Sequence, residues 1–281
     1  MVVAVRLWSD LSVRPSEWVV VAYAGYLLVV AMVARSATGG RRRVGIESVL
    51  TGLTVVAVAQ LWPTTPPHLV AAVRNWAPLA YVLTLYWMPA HLTRAVDRHA
   101  QQRLAGIDRA WALGLINTAA RAPRWVVEVL ELAYLFCYPL LPAGFLVVAL
   151  STASDRGVEA YWTAVTLAAA LSYGWLPWVR THPPRHTEEA IPGPRSAVRR
   201  LNDLVLHRAS VQLNTFPSGH AATATAAAMA VATDVPQAGL VFFPMVVLIG
   251  LACVVRRYHF LADVAVGVVV GVVAYSAARG L

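Results

Sequence analysis

Apolar blocks close to twenty residues long, separated by short polar breaks, dominate this chain. Eight can be drawn, near residues 18–34, 45–62, 76–93, 125–150, 159–178, 219–234, 237–255 and 259–278. At ~1.5 Å of rise per residue, each has about the length that carries a helix across ~30 Å of hydrocarbon. The pattern therefore predicts an all-α, multi-pass transmembrane bundle of about eight helices. Pro78 and Pro89 interrupt the third block, which reads either as spanning or as re-entrant. Pro139 and Pro142 predict a kink in the fourth. The sixth is rich in alanine, and small side chains let helices pack closely.

Two polar stretches break the rhythm. Residues 94–124 alternate arginines with apolar residues at near-helical spacing, which predicts an amphipathic helix lying on the membrane or a solvated linker helix. Residues 179–215 form the second stretch and run directly into the sixth block.

Composition agrees with the pattern. Of 281 residues, 58% are hydrophobic and 13% charged, against about half and about a quarter in soluble domains. The net charge of +9 rests on arginine alone, since the chain has no lysine. These arginines fall between apolar blocks, which argues against a nucleic-acid partner and for anionic head groups and phosphates. Eighteen lie on the face that carries residues 180–215 and five on the other, a bias that points this face to the cytosol of a cell membrane if the third block spans and inverts if it does not. Cys137 and Cys253 both sit in apolar runs and read as buried small hydrophobes. The first ten residues lack the order of a signal peptide.

Three polar clusters lie at the ends of apolar blocks: V-R-T-H-P-P-R-H at 179–186, F-P-S-G-H at 216–220 and R-R-Y-H-F-L-A-D at 256–263. The last four blocks alternate in direction, so all three clusters arrive at one membrane surface. His259 and Asp263 are four apart at a helix start and share a face. An aspartate accepting from one imidazole nitrogen fixes the tautomer and leaves the other free to attack. Pro217, Ser218 and Gly219 can turn the chain so that backbone N–H groups open a helix, a ready anion site, with the Ser218 hydroxyl as a further donor. His220 then stands beside the anion, suited to protonate a leaving oxygen. Arg180, Arg185 and Arg257 can clamp phosphate oxygens through paired, charge-assisted bonds. Taken singly, each feature has a plainer explanation: a helix cap, a turn, an arginine snorkelling to the surface. His182 and His186 are four apart, but Pro183 and Pro184 between them oppose a regular helix and a metal site.

Together and in this order, the residues resemble the type 2 phosphatidic acid phosphatase superfamily of membrane lipid phosphatases and phosphotransferases. Its signature is a basic first motif, then P-S-G-H, then an arginine followed by H-x-x-x-D. The match spans residues 180–263, with supporting helices over 125–281. The usual first motif begins with lysine and ends Arg-Pro, whereas T-H-P-P separates Arg180 from Arg185 here and His186 follows. The usual third motif has Ser-Arg well before its histidine, where this chain has Ala252-Cys253. The R-Y-H at 257–259 and R-T-H-P-P-R at 180–185 are similar to the branch that contains inositol phosphorylceramide synthase relatives.

The resemblance implies a six-helix phosphatase-like core within residues 67–281 and two additional transmembrane helices within 1–66. It implies chemistry without a metal or other cofactor. His259 would attack phosphorus, Asp263 would orient it, and His220 would protonate the leaving group and then activate water or an acceptor hydroxyl. Arg180, Arg185, Arg257, Ser218 and the Gly219 amide would hold the charged oxygens. The expected activity is hydrolysis of a phosphatidate-like or polyprenyl (di)phosphate lipid. Transfer of a phospho-head group such as phosphoinositol to an acceptor lipid is the alternative. A non-enzymatic transporter is a third reading, with Glu128 and Glu131 as proton or ion groups or as core residues paired with arginine.

Overall fold

The computed structural model describes residues 13–33, 38–60, 66–92, 95–151, 155–187 and 197–280; the N-terminal ten residues discussed above lie outside this set. Eleven α-helices run through the described residues: α1 (Pro15–Val33), α2 (Thr38–Ala59), α3 (Pro67–Trp87), α4 (Arg98–Trp111), α5 (Leu113–Ala120), α6 (Arg124–Ser151), α7 (Asp155–Tyr173), α8 (Ala197–Ala209), α9 (Gly219–Asp234), α10 (Pro236–Val255) and α11 (Leu261–Ala278). Eight of them are 16 to 28 residues long and form the bundle. Helices α1, α6, α10 and α11 are long and apolar enough to cross a membrane, so the chain is a membrane protein built as an all-α bundle.

The third block forms one helix through Pro78, and a 3₁₀ turn at Met88–Leu92 takes up Pro89. The fourth block is likewise one helix, α6, that includes both Pro139 and Pro142.

Helix α9 is the centre of the bundle, with α6, α7, α10 and α11 around it. Its alanines explain how it fits there. Ala222 and Ala226 meet Ala164 and Ala168 of α7 and Ala274 and Ala278 of α11 in a seam of buried methyl groups, each pair four residues apart. Gly267 and Gly271 of α11 bring the backbones closer still. A Cβ on Gly271 would stand 2.5 Å from the Ala222 carbonyl oxygen, and one on Gly267 2.6 Å from that of Ser218. Such small-residue packing suits helices that gain no hydrophobic drive from leaving lipid.

Helices α1 and α3 are tied on by buried polar groups. Arg74 of α3 donates to both carboxylate oxygens of Glu17 on α1, at 2.8 and 2.6 Å. Glu159 of α7 accepts from the Ser16 amide at 2.8 Å. Charged and polar groups at this end of the bundle, including Arg14, Arg156, Asp234 and Arg279, line a second cavity.

The 94–124 stretch contains α4 and α5. On α4, Leu104, Ala105 and Asp108 are buried while Ile107 and Trp111 are exposed. Leu104 and Ala105 cover Phe260, and Phe216 packs beside them. The helix thus lies over the loops that carry the second and third polar clusters.

The close approach of α9 and α11 is testable by two alanine substitutions. Gly25→Ala on α1, where a Cβ meets nothing within 4 Å, should leave the thermal midpoint unchanged or raise it slightly. Gly271→Ala should lower it, by an overpacking cost of about 1–3 kcal/mol. Equal midpoints for Gly271→Ala and wild type in the same detergent would contradict the packing.

Candidate active site

Two short segments and two helix starts build the site. Thr181 and Asn214 pair as an isolated antiparallel bridge, with the Asn214 amide donating to the Thr181 carbonyl at 2.8 Å. This holds the first polar cluster against the segment leading into α9. Ser218 is the N-cap of α9, its hydroxyl accepting from the Ala221 amide, as serine does at helix starts. The Ser218 amide donates to the Asp263 carbonyl at 2.9 Å, which locks the start of α9 to the start of α11. Gly219 has the Tyr173 ring where a side chain would otherwise stand.

This arrangement brings His220, His259 and Asp263 together. His259 Nε2 lies 3.3 Å from His220 Nδ1. Its other nitrogen, Nδ1, lies 3.6 Å from Asp263 Oδ2. The Asp263 carboxylate is itself fixed, accepting from the Asn214 side-chain amide and from the Phe260 backbone amide, both at 2.8 Å. Asp263 and Ser218 are fully buried and His259 nearly so. The carboxylate therefore faces one imidazole nitrogen and the second histidine faces the other. Tyr134 lies against His220 and stacks on Tyr258, and the Arg185 guanidinium sits 5.2 Å over the Tyr258 ring.

Arg185, His220 and His259 line one end of a cavity of about 330 Å³. The rest of its wall is largely apolar and aromatic: Leu79, Val82, Leu83 and Tyr86 from α3, Tyr138 and Leu141 from α6, and Tyr173. Leu83 and Tyr138 are 45% and 41% exposed, so the cavity opens on the flank of the bundle.

The other two arginines are placed differently, and neither is among the described residues lining this cavity. Arg257 is buried and its Nη1 donates to Asp108 of α4. It also has a left-handed backbone, φ 63°, unusual for a side chain of this size. Arg180 is engaged through its carbonyl, which accepts from the Asp97 amide at 2.8 Å. The Asp97 carboxylate caps α4, and the Ala100 amide holds its pKa below the usual range.

Asn214 and Asp108 escaped the sequence reading, whereas Glu131 was named in it. Asn214 lies in a polar loop and carries no periodic signal. Glu131 was open between an ion group and a core residue; it is fully buried and bonded to Arg199, Arg256, Asn202 and Tyr258. A signal for Asp108 did exist. Gln101, Leu104, Ala105 and Asp108 follow the i, i+3, i+4, i+7 spacing of one helix face, and a carboxylate on an otherwise inward stripe marks a partner.

A sequence profile described as the PAP2 superfamily matches residues 99–277, from the start of α4 almost to the end of α11. Neither the search of curated proteins nor that of solved structures returned a match. The similarity to inositol phosphorylceramide synthase relatives rests on the residues at 180–185 and 257–259 alone. The matched stretch includes the three clusters and covers more than half of the chain, which belongs to the PAP2 superfamily.

Proposed function

We propose that the protein is a metal-independent lipid phosphatase of the cell membrane. It would hydrolyse a phosphatidate-like or polyprenyl (di)phosphate through a phosphohistidine. Family membership supports an enzyme of the phosphatase and phosphotransferase class. The observation that carries the finer reading is that His220, His259 and Arg185 line a cavity whose remaining wall is largely apolar and aromatic and open to the flank. A phosphate at the histidines would leave its hydrocarbon chain against Leu79, Val82, Leu83 and Leu141.

The geometry supports a two-step displacement. Asp263 facing Nδ1 keeps the proton there, so the Nε2 lone pair is the nucleophile. It forms a bond to phosphorus while the bond from phosphorus to the lipid oxygen breaks, and His220 supplies the proton that oxygen needs. His220 then takes a proton from water as the water oxygen attacks phosphorus, the N–P bond breaks, and inorganic phosphate leaves. Arg185 and the N–H groups that open α9 offset the charge on the non-bridging oxygens. Transfer of this kind depends chiefly on positioning and charge stabilisation.

Phosphate release by the purified protein in detergent with EDTA, from phosphatidate, lysophosphatidate and a polyprenyl diphosphate, tests the reading. Wild type should release phosphate and His259→Ala should not. Silence with water, followed by turnover once an acceptor alcohol is supplied, would assign phosphotransfer instead.

The acid role of His220 predicts a leaving-group effect. His220→Ala should slow release of a lipid alcohol by about 10²–10⁴-fold and spare p-nitrophenol far more; equal losses on both substrates would contradict it. Asn214→Leu removes the amide that fixes the Asp263 carboxylate. It should lower kcat at least about tenfold, and an unchanged kcat would show that Asp263 needs no such support.

A further inference from the structure

Helix α4 touches every segment that builds the site. At its start, the Asp97 amide donates to the Arg180 carbonyl. One turn on, Gln101 makes a reciprocal pair with the His182 backbone: its side-chain oxygen accepts from the His182 amide at 2.8 Å and its nitrogen donates to the His182 carbonyl at 3.2 Å. In the middle, Leu104 and Ala105 cover Phe260, with Phe216 alongside. Near its end stands Asp108, almost fully buried. One oxygen of Asp108 accepts from the Leu261 amide at 2.8 Å, and the other from Arg257 Nη1 at 2.5 Å.

We propose that Asp108 is a positioning residue for catalysis, holding Arg257 and the start of α11 so that His259, between them, keeps its aim. Arg257 and Leu261 flank the 258–260 stretch on either side, and one carboxylate grips both; the His259 amide is tied separately to the Cys253 carbonyl. The left-handed backbone of Arg257 is a conformation that this side chain adopts only when its surroundings hold it there. The consequences pass to Arg185 as well. The Arg257 carbonyl accepts from the Arg185 amide at 2.9 Å, so the peptide that Asp108 fixes also seats the arginine lining the cavity. Asp108 stands apart from the cavity lining, and its effect on the reaction runs through these neighbours.

Packing alone does not account for a carboxylate at this site. Burial pushes its pKa up, and the Leu261 amide and Arg257 pull against that shift. A leucine at 108 would continue the apolar stripe of α4 without the desolvation cost, but it would offer Leu261 and Arg257 no acceptor.

The inference rests on the phosphatase reading for its kinetic test and on the structure alone for a second test. In the full chain, Asp108→Asn keeps the size of the side chain and an acceptor oxygen while removing the charge. With phosphatidate as probe, it should lower kcat about 100-fold, the cost of a misplacement near 1 Å, with KM changed less than threefold. Introduced into an Arg257→Gln protein, it should add little further loss, because both changes break one contact. Additive losses, or a change confined to KM, would overturn the proposal. Hydrogen exchange in Asp108→Ala, measured in detergent without substrate, gives the second test. Exchange should quicken in peptides covering 256–262 and stay as in wild type across α1. Unchanged exchange at 256–262 would overturn the proposal even if no substrate were ever found. A wild-type protein silent on every phosphate probe, but with this exchange change intact, would instead count against the phosphatase reading.

Discussion

The hydrogen bond from the Ser218 amide to the Asp263 carbonyl joins the starts of two helices, and the rest of the site depends on that junction. It forms because α11 presents Gly267 and Gly271 to α9, so the backbones meet where side chains would otherwise hold them apart. With the two starts together, one helix supplies His220 and the other Asp263, and the short loop before α11 drops His259 between them. A bundle with bulkier seam residues would keep its helices but separate these groups.

Around this junction, buried polar groups do the orienting. Asp263 is held by Asn214 and Phe260, and Asn214 by Thr181. Glu131 of α6 gathers Arg199 and Asn202 of α8 together with Arg256 and Tyr258 of the loop. Glu131 is paired with two arginines and two further donors, which is the condition for burying charge without a large penalty, while Asp263 takes both of its donors on one oxygen. The polar groups cluster at one end of the bundle. The cavity is lined by Arg185, His220 and His259 together with a largely apolar and aromatic wall. Helix α3 supplies part of that wall although it precedes the stretch matched by the family profile.

Much of this was legible in the sequence because its signals are local. Apolar block length gave the helices, and the alternation of block ends gave a common surface for the three clusters. The spacing of His259 and Asp263 gave a shared helix face. Pro78, Pro139 and Pro142 lie inside continuous helices, since a proline in a long apolar helix removes one hydrogen bond without ending the helix. That α4 covers Phe260 with Leu104 and Ala105 rests on contacts that no periodicity contains.

The order of apolar and polar residues therefore determined the bundle, while the motif residues at 216–220 and 256–263 carried the family resemblance and singled out the histidine pair with its aspartate, all local to one chain. Only the tertiary structure decided how the arginines divide, with Arg185 lining the cavity and Arg257 turned to Asp108. It alone revealed Asn214 behind Asp263 and Glu131 behind Tyr258. Those partners are 49 and 127 residues apart in the chain. A contact of that separation is set by how helices pack, and packing is a property of the whole bundle.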